Sequence, residues 1–127
     1  MKFRWQKGLP FITAKLTVEG KVIEIHNALV DSGAASSLFS IENFLNAGLT
    51  INSHDIIVEM VGIGGTESVF QRKINEIKIA NISVGSPIVQ FGTMNYGFEI
   101  DGIIGSDILS QARAIIDYDQ EAVFFKR

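Results

Sequence analysis

The chain has 127 residues, of which 46% are hydrophobic and 20% charged, and its formal net charge is −3. This length suits one domain with one core, and we expect residues 1–127 to form it. The slight negative charge gives no electrostatic basis for binding nucleic acid or an anionic membrane surface. There are no cysteines and only two histidines, His26 and His54, so neither a disulfide nor a metal site is expected, and the sequence indicates no cofactor.

Targeting and membrane signals are not evident in the sequence. A few basic residues open the chain, but no apolar run of signal-peptide length follows them, and no apolar run is long enough to cross a membrane. We therefore expect a soluble cytoplasmic protein without membrane insertion.

The first elements in chain order are an arm and two strands. Residues 1–9 are basic with interspersed aromatic side chains and no clear period, so we interpret them as an N-terminal arm. Residues 11–18 alternate between apolar and polar side chains, which predicts a strand. A turn at 19–21 then leads into a second strand over 22–30.

The second strand ends at a carboxylate, Asp31, which is followed by Ser32, Gly33 and Ala34. Asp, Ser and Gly are turn-forming residues, so Asp31 is expected where a buried strand breaks into a tight loop. The same three residues are common in ordinary surface turns, and alone they do not identify a site.

A short helix is predicted next. Ser40 has the side chain of an N-cap, Glu42 lies in the first turn, and Gly48 suits a C-terminal stop. About two turns of helix fit between Ser40 and Gly48.

A hairpin with a glycine-rich tip is predicted between residues 56 and 71. Two arms rich in β-forming residues, 56–61 and 66–70, flank a tip made of Gly62, Ile63, Gly64 and Gly65. Glycines admit positive φ and let another backbone approach closely. Judged alone, an ordinary hairpin turn explains this tip equally well.

The remainder of the chain continues in short strands. Residues 74–84 carry strand patterning with a turn or bulge at Asn81, and 88–91 form a further apolar segment. Residues 100–104 predict a short strand that runs through Gly105 into a helix. Residues 114–125 indicate a hairpin that closes the domain.

Three motifs in this order and spacing resemble the retropepsin-like aspartic proteases, single-domain relatives of the retroviral proteases. They are Asp31-Ser32-Gly33-Ala34, the glycine tip at 62–65, and Ile103-Ile104-Gly105. The resemblance covers roughly residues 10–127, and the small helix after residues 37–40 is more like the cellular and bacterial members than the viral ones. It implies an all-β acid-protease barrel with a flap hairpin and one or two short helices, acting on a peptide or protein.

Hydrolysis of a peptide by an activated water requires a second carboxylate beside Asp31. Hydrolysis by water needs a base for the water and an acid for the carbonyl oxygen, and two carboxylates about 3 Å apart supply both because they share one proton. The chain has one Asp-Ser-Gly, so the partner is either Asp101 or Asp107 of the same chain or Asp31 of a second chain. Asp107 is also explained as a residue that opposes a helix dipole. The resemblance implies a homodimer with one Asp31 from each chain.

The resemblance also implies roles for other residues. Ser32 would form a hydrogen bond across the two-fold axis, and Gly33 and Ala34 would leave room for the substrate backbone. Ile103 would wall the pocket beside the scissile bond, and the tip at 62–65 would be the flap over the substrate.

Two positions depart from the viral pattern. Ala35 and Ser106 stand where viral members commonly carry an acidic residue and an arginine that pair. Both partners are absent together, so no buried charge is left unpaired, but the contact that this pair supports must be made otherwise.

Two other functions stay open at this point. One is a non-catalytic module of the same fold that dimerises or holds an extended peptide by strand addition. The other is an unrelated small β-barrel that binds a small ligand, in which the three motifs are coincidental turns.

Overall fold

Short strands account for most of the chain. The computed structural model describes residues 1–62 and 65–126, and of residues 60–62 and 65–67 it describes the backbone alone. The strands are β1 (Arg4–Gln6), β2 (Leu9–Val18), β3 (Lys21–Val30), β4 (Leu38–Ser40), β5 (Ile56–Gly62), β6 (Gly65–Lys73), β7 (Glu76–Ile79), β8 (Ile82–Gly85), β9 (Ile88–Gly92), β10 (Gly102–Ile104), β11 (Ala114–Asp117) and β12 (Ala122–Phe125). The helices are α1 (Ile41–Asn46) and α2 (Ser106–Gln111).

The strands pair along one continuous path. Its order is β5-β6-β9-β4-β10-β3-β2-β7-β8, with β1 paired to β2, while β11 and β12 form a separate hairpin. Among the described strands this path stays open between β5 and β8, so the expected barrel is not a closed ring. The all-β fold with two short helices is confirmed.

The β2–β3 hairpin contributes one face to the core because apolar side chains stand at alternate positions along β2. Ile12, Ala14, Leu16 and Val18 of β2 are buried, as the alternation predicts. The turn between the strands places Glu19 and Gly20 at positive φ, the two-residue geometry that matches strand twist.

Helix α1 has the ends that the sequence predicts. The Ser40 hydroxyl accepts a hydrogen bond from the Asn43 amide at 3.4 Å, and Gly48 has a φ of 84° just beyond the helix. The helix buries Phe44 against Phe70 and Phe91, with ring centroids 5.0 and 4.8 Å away. Neither helix among the described residues is long and apolar enough to span a membrane.

The N-terminal arm is more ordered than its sequence indicates. β1 pairs with the start of β2 through a turn in which Lys7 and Gly8 have positive φ. Residues 1–3 lie beside β12, where the Phe3 amide donates to the Glu121 carbonyl at 2.9 Å. A three-residue strand is too short to show an alternating period. β1 and residues 1–3 are ordered because they pair with β2 and β12.

Candidate active site

Asp31 lies directly after the last residue of β3. Its amide donates to the Ile104 carbonyl of β10 at 3.0 Å, and its side chain is half-buried. The strand therefore presents this carboxylate at its end, as the sequence predicts.

The loop after Asp31 orients the carboxylate. Oδ1 of Asp31 accepts a hydrogen bond from the Gly33 amide at 3.0 Å, and the Asp31 carbonyl accepts one from the Ala34 amide at 3.2 Å. Such local bonds explain why Asp, Ser and Gly occur together in a tight turn. Ser32 and Gly33 are exposed, while Ala34 is half-buried.

Strand β10 lies between β3 and β4. It runs parallel to β3, with Ile103 opposite Leu29, and antiparallel to β4, with Ile103 opposite Leu38. A Cβ on Gly102 would lie 2.6 Å from Cδ1 of Phe39, so the close approach of these strands requires glycine there. The half-buried side chain of Ile103 is thus held in the middle of three strands next to the Asp31 loop.

Gly105 joins β10 to the Asp31 loop. The amide of the next residue, Ser106, donates to the Ala34 carbonyl at 2.7 Å. A Cβ at Gly105 would lie 2.6 Å from that carbonyl oxygen and 3.0 Å from the carbonyl oxygen of Ser36. Its φ of −92° is ordinary, so this position needs glycine for space and not for its backbone angles.

A buried hydroxyl joins the same two segments, and sequence reasoning missed it. Ser37 is fully buried, and its Oγ donates to Oδ1 of Asp107 at 2.7 Å while accepting from the Gly105 amide at 2.9 Å. The Ser37 amide also donates to Oδ2 of Asp107, at 3.0 Å. Asp107 also accepts from the Ile108 amide in the first turn of α2, so opposing the helix dipole is only part of its role.

Asp101 lies at the other end of β10 from the Asp31 loop. Its amide donates to the Asn27 carbonyl at 2.8 Å, and its Oδ2 accepts from the Asn27 amide at 3.1 Å. Asn27 precedes Asp31 by four residues along β3, which corresponds to about 13 Å. This position does not suit a carboxylate that shares a proton with Asp31.

The hairpin predicted to carry the flap is present. β5 pairs antiparallel with β6 over its whole length, and Gly62 lies opposite Gly65. The predicted tip residues Ile63 and Gly64 lie outside the described residues. The contact of this hairpin with a substrate stays a prediction.

A buried ion pair holds the root of the hairpin. Nε and Nη2 of Arg72 donate to the two carboxylate oxygens of Asp55 at 2.6 and 2.5 Å, and these side chains are only 9% and 2% exposed. Nη2 also donates to the Thr50 carbonyl at 2.9 Å. The guanidinium lies 5.0 Å from the centre of the Phe44 ring. The hydrogen bonds from Arg72 lower the pKa of Asp55 below its ordinary value, and the same pair raises the pKa of Arg72.

Two cavities lie near the candidate site, and Asp31 lines neither of them. One of about 540 Å³ lies at the hairpin root and is bounded in part by Asp55 and Arg72. Another of about 420 Å³ is bounded by residues of the Asp31 loop and by Ser106 and Asp107. The described residues contain no cluster of three or more His, Asp or Glu side chains with the geometry to hold a metal ion.

Comparison with known proteins gives one family. Residues 14–108 match the family described as aspartyl protease. No curated protein matches the chain. The matched segment is well over half of the chain and runs from β2 through the Asp31 loop to the start of α2. The chain therefore belongs to the aspartyl protease family, which confirms the resemblance drawn from its three motifs.

Proposed function

We propose that this chain is a homodimeric aspartic endopeptidase in which each protomer supplies one Asp31. The observation that supports this most is the Asp31 loop itself. It presents a half-buried carboxylate at a strand end, orients it with the Gly33 amide and fixes its backbone to β10.

The reaction follows from two carboxylates that share one proton. The ionised carboxylate takes a proton from water, the water oxygen attacks the peptide carbonyl carbon, and the protonated carboxylate gives its proton to the carbonyl oxygen. The carboxyl that took the water proton then gives it to the amide nitrogen, and the other carboxylate takes a hydroxyl proton back from the tetrahedral intermediate. The C–N bond breaks, which releases an amine and a carboxylic acid and restores the pair with its one shared proton. No cofactor is needed in this scheme.

The second carboxylate is better supplied by another chain than by this one. Asp101 is about four strand residues away from Asp31, and both oxygens of Asp107 are engaged by Ser37. A two-fold axis beside Asp31 would supply an identical loop without any further residue of this chain.

The substrate in this proposal is an extended peptide. The β5–β6 hairpin would cover it through the tip at Gly62, Ile63, Gly64 and Gly65. Gly33, Ala34 and Ile103 would lie beneath the scissile bond, and Ser32 would bond across the two-fold axis.

An unbiased peptide library, assayed at several pH values, tests the proposal with two variants. Asp31→Asn should abolish turnover while leaving the thermal unfolding curve unchanged, because the amide keeps the shape of the side chain but does not act as a base. Asp119→Asn, in an exposed turn, is the matched control and should keep full activity. Retained turnover in pure Asp31→Asn would contradict the proposal, and a wild-type dimer that binds peptides without cleaving them would indicate a peptide-binding module.

A further inference from the structure

One row of residues crosses the sheet in register from β10 to β6. Ile103 lies opposite Leu38, Leu38 lies opposite Gln90, and Gln90 lies opposite Gln71. Residues that are directly paired in this way point to the same face of a sheet. Gln90 of β9 therefore shares a face with Ile103, which is two strands or about 10 Å away.

The opposite face of the same strands belongs to the aromatic core. Phe39, Phe91 and Phe70 form the next row across β4, β9 and β6. The ring centroid of Phe91 lies 6.3 Å from that of Phe39 and 5.2 Å from that of Phe70. Gln90 points away from these rings, because neighbouring residues of a strand alternate between the two faces. It thus belongs to the face that carries Ile103.

The surroundings of Gln90 on this face are aliphatic and separate from the main core. Leu38 and Val69 are buried, yet neither belongs to the main core cluster. Their side chains meet over Gly92, where a Cβ would lie 2.7 Å from Cγ1 of Val69 and 3.3 Å from Cδ1 of Leu38. Gly92 follows Gln90 by two residues along β9, so it lies on the same face. Aliphatic side chains therefore border Gln90 on this side of the sheet.

Gln90 has a buried acceptor without a donor. The residue is only 8% exposed, and its Oε1 accepts no hydrogen bond from the described residues. Gln71 lies directly opposite but does not donate to it. Buried polar groups are nearly always partnered, and one that is not partnered costs the full desolvation of its atoms. An unpartnered acceptor beside a predicted substrate pocket indicates that its donor comes with the substrate.

We propose that Gln90 is a specificity residue that selects a substrate side chain with a neutral hydrogen-bond donor. This inference rests on the proposed peptidase, in which Ile103 lies beside the scissile bond. Asparagine, glutamine, serine and threonine carry such a donor. Lysine and arginine also donate, but no acidic residue stands in the row of Gln90, and burying their charge without a counterion costs more than one hydrogen bond returns. An aliphatic side chain would leave Oε1 unpartnered.

The amide of Gln90 needs no movement of β9 to meet a substrate. Oε1 is covered in the structure, but it stands at the end of a side chain with three rotatable bonds. In the proposal, the amide turns about these bonds toward the substrate. The hydrogen bond formed there supplies the partner that the covered amide lacks.

The distance between Gln90 and Ile103 determines where the preference appears in the substrate. About 10 Å corresponds to about three residues of extended peptide. The two-fold axis of the proposed homodimer would place one Gln90 on each side of the scissile bond. We therefore expect the same preference at two positions, one on each side and within about three residues of that bond.

Peptides that differ only between threonine and valine test this preference, because the two side chains have nearly the same shape and only threonine donates. At both positions the wild type should cleave the threonine peptide with a kcat/KM about fivefold higher, the effect of one hydrogen bond. Gln90→Met keeps the length of the side chain but removes the acceptor, so it should reverse the ratio. Gln120→Met, in the exposed turn after β11, is the matched control and should keep the wild-type ratio.

The outcomes separate this inference from the proposed function. The same kcat/KM ratio in the wild type and in Gln90→Met would overturn the role of Gln90 and leave the peptidase proposal intact. A wild type that prefers valine to threonine at every position would do the same, and this measurement decides the matter even where Gln90→Met does not fold. Selection of lysine or arginine over threonine would overturn the neutral donor. A wild-type chain that cleaves no peptide of the library would overturn the proposed function and this inference with it.

Discussion

Ser37 lies six residues after Asp31, and its buried hydroxyl joins the segment after the Asp31 loop to Gly105 and Asp107. Viral relatives commonly use an acid and an arginine at the positions of Ala35 and Ser106. Here the hydroxyl of Ser37 and the carboxylate of Asp107 link the same two segments. A hydroxyl and a carboxylate make this link with a single charge, so less charge has to be desolvated.

Replacing Ser37 with alanine should reduce both stability and activity. The change leaves the buried Gly105 amide without its acceptor and removes one of the two donors to Oδ1 of Asp107, which costs about 1–3 kcal/mol. We expect turnover to fall further than the folded fraction does, because the Asp31 loop is displaced in molecules that remain folded. Chemical denaturation and peptide cleavage, measured on the same sample, check this.

Ser83→Ala is the matched control for that substitution. Ser83 also donates from its hydroxyl to a carboxylate, that of Glu76 at 2.6 Å, but it does so at the surface. Its loss should change stability and activity little. Equal effects of the two substitutions would show that Ser37 has no special place in the site.

The residues of the site differ in how well the sequence predicts them. Asp31 was predicted correctly as a strand-end carboxylate because an apolar strand followed by turn residues is a local pattern. The partnership of Ser37 with Asp107 spans 70 residues and has no local pattern at all. Ser37 and Asp107 come together only because β10 pairs with both β3 and β4.

The β5–β6 hairpin is anchored at its root by the pair of Asp55 and Arg72. Asp55 comes directly before β5, and Arg72 is the second-last residue of β6, so the pair joins the two arms at the end away from the tip. Glu19 in the β2–β3 turn adds a weaker contact, 3.6 Å from Nη1 of Arg72. One buried guanidinium thus joins the two arms at the root, beside the pairing of β6 with β9.

Asp55→Ala should therefore be among the more damaging single changes in the chain. It leaves the guanidinium of Arg72 buried without its main counterion, which typically costs about 3–5 kcal/mol. Denaturant unfolding of Asp55→Ala beside Asp119→Ala, an exposed carboxylate, measures the difference. A loss of stability no larger than that of the control would show that the pair contributes little.

The same pair predicts how stability depends on pH. Arg72 lowers the pKa of Asp55 in the folded chain, so the folded state binds the proton of this group less readily than the unfolded state does. The resulting stabilisation is complete above the ordinary aspartate pKa and is lost as the pH falls through the lower folded value. Unfolding of the wild type followed downward from pH 6 should show this loss, and Asp55→Asn should lack this part of it.

Most elements were predictable because they carry a local signal of sufficient length. The β2–β3 hairpin shows seven alternating positions, 12–18, and α1 shows both a cap and a stop. β1 was missed because three residues show no period, and it exists through its pairing with β2. Whether such a short segment forms a strand depends on its pairing with another strand.

Activity of the whole molecule should depend on concentration. If each active site needs one Asp31 from each of two chains, activity per chain falls on dilution in step with the dimer population. Peptide cleavage over a dilution series, set beside sedimentation of the same samples, checks this. Constant activity per chain at concentrations where only monomer sediments would contradict a shared site.

Mixing with an inactive partner gives a second measurement of the shared site. After full exchange with an equal amount of Asp31→Asn chains, about half of the wild-type chains sit in mixed dimers with one working carboxylate. Activity per wild-type chain should then drop to about half. No drop would place both carboxylates within one chain.

The family of the whole chain was predictable from the combination of three motifs, and the family match over residues 14–108 agrees with that prediction. The position of residues 1–3 was not predictable in the same way. They lie along β12, and nothing in the composition of these short segments indicates that choice.

The parallel pairing of β10 with β3 has a consequence for the order in which the Asp31 loop forms during folding. Gly102 to Ile104 must find Ala28 to Val30 across more than seventy intervening residues, and such closures are slow compared with hairpin formation. The β2–β3 and β5–β6 hairpins can form first from neighbouring residues, but the Asp31 amide has no acceptor until Ile104 arrives. A chain still emerging from synthesis would therefore hold its aspartate in an unformed loop. The Asp31 loop would take its final geometry only after β10 has paired with β3, when the two hairpins have already formed.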